Sequence, residues 1–219
     1  MATPSFVRYS YIRQRPDVLL RAIHEGVLRP RRIRLSEYGW LQPSYDNYDG
    51  GLELAADLVS CDDEDEALAK CARWENFGLS YLVPDIPGDI NLYFFSISDS
   101  GMGLSLSFDS SILYYQATKY RQGDWLESFL IAMYEAIQTD VCGYGVAYRV
   151  QHEPLDSAEV LNRLREGDLL SLSPPTFHAL APKLIERDEV LRLLASRPTS
   201  KYLRYRTTTS GSHILSALP

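Results

Sequence analysis

Hydrophobic and polar positions alternate most cleanly over Gly103–Phe108, where Leu104, Leu106 and Phe108 are interleaved with Ser105 and Ser107. That is the period of a strand with one buried face. Leu92–Ser98 precedes it across Asp99-Ser100-Gly101, and together they predict an antiparallel hairpin, with Ile112–Tyr115 as an extension of the meander. Strand-like mixtures of β-branched and aromatic residues also occur at Phe6–Ile12, Arg32–Leu35, Leu79–Val83 and from Tyr144 to Val150. Leu52–Val59 fits strand and helix equally. The terminal pair Tyr202–Thr209 and His213–Leu218 predicts a second hairpin.

Helical periodicity is strongest from Asp124 to Thr139. Trp125, Phe129, Ala132, Met133 and Ala136 form one stripe, widened by Leu126, Leu130, Tyr134 and Ile137. Asp124 and Glu127 have capping-box spacing at its start. Shorter helices are predicted at Asp17–His24, closed by Gly26, after the acidic run Asp62–Glu66, and at Ser157–Arg165 and Asp188–Ala195. Runs of strands followed by helices, rather than strict alternation, predict an α+β fold. The expected architecture is a single domain of 219 residues with an antiparallel sheet packed against helices, residues 166–219 being readable as a helix-and-hairpin C-terminal extension.

Composition narrows the functional classes. At 45% hydrophobic and 23% charged, the chain is an ordinary globular sequence. Its longest apolar stretches, such as Phe129–Met133, fall far short of the ~20 residues of a membrane span. The arginine-rich start does not read as a secretory signal, so a cytoplasmic location is expected. Cys61, Cys71 and Cys142 are odd in number and lack CxxC spacing, which predicts reduced thiols rather than a disulfide framework or a zinc ribbon. Phosphate-loop, dinucleotide, zinc-protease and nucleophile-elbow motifs do not occur. Neither a catalytic residue, a cofactor nor a metal is assigned.

Charge is strongly segregated. Residues 1–36 carry eight arginines against Asp17 and Glu25, a net of +6, and residues 37–109 carry fifteen acids against Lys70 and Arg73, a net of −13. The acidic third points to a basic partner, because opposite charge accelerates encounter. Three plainer readings of the acids stand beside it. They can form a solvated face kept for solubility, favour a helix N-terminus through the backbone dipole, or pair with the N-terminal arginines. The basic start lacks the aromatic interleaving of a nucleic-acid module, and nucleic acid is not the expected partner.

Fifteen tyrosines and three tryptophans favour protein contact. Trp40, Tyr45 and Tyr48 stand among Pro, Gly, Asn and Asp between Tyr38 and Gly51, a segment that reads as a loop. The candidate partner-binding residues are therefore Trp40, Tyr45, Asp46, Tyr48, Asp49, Asp62, Asp63, Glu64, Asp65 and Glu66.

The hairpin Asn91–Phe108, followed by the amphipathic helix that opens with Gly-Asp-Trp-Leu-Glu-Ser-Phe (Gly123–Phe129), resembles the immunity proteins of bacterial polymorphic-toxin systems. The resemblance is one of general character over roughly residues 50–150. It implies a stoichiometric, non-enzymatic inhibitor that binds a basic cognate toxin. Competing classes are a divergent enzyme acting on a nucleotide or ADP-ribose-type substrate, and an accessory protein of a phage or defence locus.

Overall fold

The N-terminal strand, β1 (Pro4–Tyr9), lies inside the sheet rather than at its margin, hydrogen-bonded antiparallel to β6 (Met102–Asp109) on one side and β7 (Val141–Tyr144) on the other. The computed structural model describes residues 4–45, 52–84, 88–96, 101–109, 125–144, 154–171 and 175–218. The other strands are β2 (Arg34–Tyr45), β3 (Leu52–Ser60), β4 (Phe77–Leu82), β5 (Asp89–Ser96), β8 (Thr176–Leu180), β9 (Arg204–Thr207) and β10 (His213–Ala217). They form one ten-stranded sheet in the order β3-β2-β4-β5-β6-β1-β7-β8-β10-β9, antiparallel at every pairing. Among the described residues, six α-helices complete an α+β domain: α1 (Pro16–Ile23), α2 (Glu64–Cys71), α3 (Trp125–Ile137), α4 (Ser157–Glu166), α5 (Asp168–Ser171) and α6 (Arg187–Ser196).

Two apolar clusters cover opposite faces. Phe177, Ala179 and Ile214 belong to the larger one with α1, α2 and α3, whereas their chain neighbours Leu180 and Leu215 belong to a second one with α4, α5 and α6. Successive strand residues point to opposite faces, so β8 and β10 are buried on both sides. Residues 166–219 supply three strands of the common sheet. No helix among the described residues is long and apolar enough to cross a membrane.

The central hairpin pairs as expected, with Leu92 opposite Leu106 and Phe94 opposite Leu104, but its second strand is not wet on one face, because Ser105 and Ser107 are buried along with Leu104, Leu106 and Phe108. The terminal hairpin pairs His213 with Thr207. Helix α3 buries Leu126, Phe129, Leu130, Met133, Tyr134 and Ile137. Its C-terminal end is tied to β1 by Ser10, whose Oγ accepts the backbone N–H groups of Asp140 and Val141 at 3.1 Å and bonds the Thr139 hydroxyl.

Several expectations are corrected. Tyr38–Gly51 is not one loop, because β2 runs unbroken through Tyr45, and Leu52–Val59 is strand. Gly39 and Pro43 suggested a break, but Gly39 sits opposite Gly78 in the ladder. Pro43 lies past the last β2–β4 contact, Leu41 N–H to Asn76 C=O at 3.1 Å, so its missing N–H forfeits no bond to β4. Gly26 does not stop α1. The chain continues through a π turn, His24–Leu28, which buries Val27 and Leu28, and ends at Arg32 in the left-handed region. Ile112–Tyr115 and Val146–Val150 lie outside the described residues.

Candidate protein-binding site

The first part of the acidic third, residues 37–66, folds into one end of the sheet, and the rest supplies the inner strands β4, β5 and β6. Residues 37–66 contain ten acids and no base, and they make most of β2, all of β3 and the start of α2. Trp40 is a strand residue, opposite Asp57 of β3, and 48% exposed. Val59, opposite Tyr38, is 54% exposed. Directly opposed residues share a face, which places Trp40 and Val59 on the same side of the β2–β3 ribbon. Tyr38 is half-buried, stacked on Trp74 at 6.3 Å, with the Lys70 ammonium 5.9 Å from its ring. Tyr45 ends β2 in register with Leu52. Asp46, Tyr48 and Asp49 lie outside the described residues.

The five acids of Asp62–Glu66 divide by role. Asp63 caps α2, its Oδ1 accepting the Glu66 N–H at 3.0 Å. Glu64 turns inward and accepts from Arg29 Nε at 3.0 Å. Arg29 also reaches Asp65 Oδ1 at 2.6 Å, and Lys70 pairs with Glu66 at 2.7 Å. Asp62 and Asp65 remain solvent-facing, Asp65 being 83% exposed at its side chain. The helix-capping reading, the arginine-pairing reading and a surface charge thus coexist in one run. Arg29 and Lys70 offset two of the five negative charges of this run, so a partner at a distance feels the remaining excess.

Behind this surface lies a buried relay that sequence reasoning missed. His24 Nδ1 is 3.1 Å from Glu64 Oε1, and His24 Nε2 is 2.7 Å from the Tyr81 hydroxyl. Burial holds the His24 pKa below its ordinary value, against the opposing pull of Glu64. The imidazole is therefore neutral, donates from Nδ1 to the carboxylate, and accepts at Nε2 from Tyr81. Burial drives the Tyr81 hydroxyl well above its usual range, and the side chain is fully buried. The relay locks the π turn after α1, α2 and β4 together rather than presenting a reactive group.

The thiols are equally unreactive. Burial raises Cys71 to about 12 and pushes Cys142 higher still, while burial and the neighbouring acids raise Cys61. All three are free and protonated near neutrality, whereas the thiolate is the nucleophile. Among the described residues no group of three His, Cys, Asp or Glu side chains could hold a metal ion. A separate open cleft of 620 Å³, lined by Arg13, Arg15, Arg73 and Trp74, gathers part of the basic start.

His178 of β8 is fully buried, and desolvation, with a contribution from Arg163, lowers its pKa to about 3. The unfolded chain takes up this proton near pH 6.5 and the folded chain does not, so stability falls as pH drops below 6.5. His178 alone is expected to remove roughly 1.5 kcal/mol between pH 6.5 and 5, His24 acting in the same direction. Denaturant titrations at several pH values check this, since His178→Phe should flatten the slope. An unchanged slope would show that His178 gains a proton in the fold.

Comparison with protein-family models, with characterised proteins and with solved structures found no match.

Proposed function

We propose that this protein is a stoichiometric, non-enzymatic inhibitor that binds a basic protein, a cognate toxin, through the β2–β3–α2 end of its sheet. The observation that carries the reading is a half-exposed Trp40 beside a half-exposed Val59, set in thirty residues with ten acids and no base. Exposed aromatic area surrounded by charge is the anatomy of a binding patch, with an apolar anchor and a polar rim. The acids attract the partner, and the indole holds it once it arrives. Thiols kept protonated and a relay ending on a fully buried tyrosine support binding over covalent catalysis.

The test begins with the basic protein recovered by pull-down from the native host. Changing Asp62, Asp65 and Glu66 to Lys should slow its association about tenfold at low salt and flatten the salt dependence. Trp40→Ala should mainly speed dissociation, by about thirtyfold if the indole is a hot spot worth ~2 kcal/mol. Glu64 is left unchanged because it serves the buried relay. An association rate indifferent to salt and to these charges would remove the electrostatic part of the reading. Turnover of a nucleotide by the isolated protein, lost in Arg73→Ala, would replace the reading with the enzyme alternative.

A further inference from the structure

Strand β3 ends the sheet, and among the described residues only β2 pairs with it. The Cys61 N–H bonds the Ser36 carbonyl at 2.8 Å, which fixes the parity of the ladder. Partner bonds in an antiparallel pair recur at every second residue. With the register Glu37 to Ser60 through Tyr45 to Leu52, Val59, Asp57, Ala55 and Glu53 direct their backbone groups to β2. Ser60, Leu58, Ala56, Leu54 and Leu52 direct theirs outward. Among the described residues, the outer edge is thus a regular row of donors and acceptors with no strand beside it, along a nine-residue strand.

Edges of this kind are normally blunted by shortness, bulges, lysine or proline. The opposite edge, β9, is short, with four residues. β3 has none of these devices. It contains no Lys or Pro, and its register to β2 has no shift. What it does carry is acid, Glu53 and Asp57, within the acid-only stretch 37–66. Pairing two copies edge to edge would bring two acid-only ribbons together, and like charges across strands are destabilising. A Lys- or Arg-rich strand would meet the opposite field.

We propose that the β3 edge accepts an extended basic segment of the partner protein as an eleventh strand, its backbone bonding to Leu54, Ala56 and Leu58. This rests on the reading of the acidic sheet end as the protein-binding surface, and adds how the partner is held. Main-chain bonds supply affinity in strand addition, the acids select the sign of the partner, and Trp40 and Val59 flank the seam on the neighbouring ribbon.

The probe is a synthetic acetylated peptide of alternating lysine and valine, as long as β3, with its glutamate counterpart as control. Amide hydrogen exchange by NMR is read on the full chain. On adding the lysine peptide at low salt, the amides of Leu54, Ala56 and Leu58 should slow about tenfold or more, as newly bonded amides do, while the already bonded Ala55 and Asp57 change little. The glutamate peptide should do nothing. Ala56→Pro removes one outward N–H without touching the β2 ladder, and should abolish the protection while leaving the circular dichroism spectrum and the rest of the exchange pattern in place. Absence of peptide binding, or protection spread without the every-second-residue pattern, overturns the proposal. Binding that survives Ala56→Pro but is lost on changing Asp62, Asp65 and Glu66 to Lys overturns the strand addition and leaves the acidic surface standing. Binding indifferent to both sets of changes removes the edge and the acidic surface together.

Discussion

Phe129→Ala is expected to lower the stability of the fold by ~3–5 kcal/mol, the range for emptying a large aromatic site in a packed core. Phe129 is completely buried in the larger apolar cluster and stacks on the Trp125 ring at 5.3 Å with the planes 3° apart. It sits on α3, which packs against α1, the π turn that follows it, and β8. The hole would therefore open where helices meet sheet, with neighbours on three sides that are held by their own elements. Trp125, which stacks on the ring, is itself half-buried. A domain of this kind has total stability of about 5–15 kcal/mol, so the variant should show a large fall in the denaturant midpoint with an unchanged slope. Stability within 1 kcal/mol of the parent would mean that the helix repacks and that the stripe, not the particular ring, is what the sheet requires.

The helix that makes this prediction possible was legible from the chain alone, as were both hairpins. Apolar positions recurring at the element's own period mark α3 and β5, and β6 keeps its apolar–serine alternation in sequence although Ser105 and Ser107 are buried as well. Strand β8 was not legible for the complementary reason. Thr176–Leu180 is buried on both faces, which erases alternation and leaves a short run without a period. β2 was hidden differently. Gly39 and Pro43 are turn residues by local chemistry, and pairing with two neighbouring strands overrides that preference in the fold.

The candidate site divides along the same line. The clustering of acids in 37–66 is a property of the sequence and needs no structure. Which of them turn inward depends on partners far along the chain, Arg29 being 35 residues from Glu64 and His24 being 57 from Tyr81. The capping signal after Cys61 was real, and Asp63 uses it. It accounts for one acid of the five, however, while Glu64 is consumed by the core and Asp62 and Asp65 are left for solvent or a partner. The same effect reassigns Glu127. Its spacing from Asp124 suggested capping, but Asp124 lies outside the described residues, and both Glu127 carboxylate oxygens receive guanidinium nitrogens from a strand more than seventy residues away.

That carboxylate gives the second large effect, and its sign depends on which partner is removed. Glu127 is 3% exposed at its side chain, whereas Arg204 and Arg206, each 2.8 Å from it, are 47% and 45% exposed. They come from alternate positions of β9, with Tyr205 between them on the opposite face, hydrogen-bonded to His213 at 3.0 Å. Removing both arginines strands a carboxylate in the core, and an uncompensated buried charge costs ~3–5 kcal/mol. Removing the carboxylate strands nothing, because half-exposed guanidiniums swing into water. Glu127→Leu also restores an apolar residue to a helix whose other buried positions are apolar or aromatic, and buried ion pairs replaced this way are often neutral in stability. The double variant Arg204→Ala, Arg206→Ala should therefore unfold at much lower denaturant than the parent, while Glu127→Leu stays within ~1 kcal/mol of it. Combining all three changes should recover most of the loss, since the charge that demanded compensation is gone. Equal destabilisation by Glu127→Leu and by the arginine pair would instead show that the ion pairs hold β9 on the sheet by attraction, and exchange of the β9 amides in Glu127→Leu would then rise to match the arginine variant.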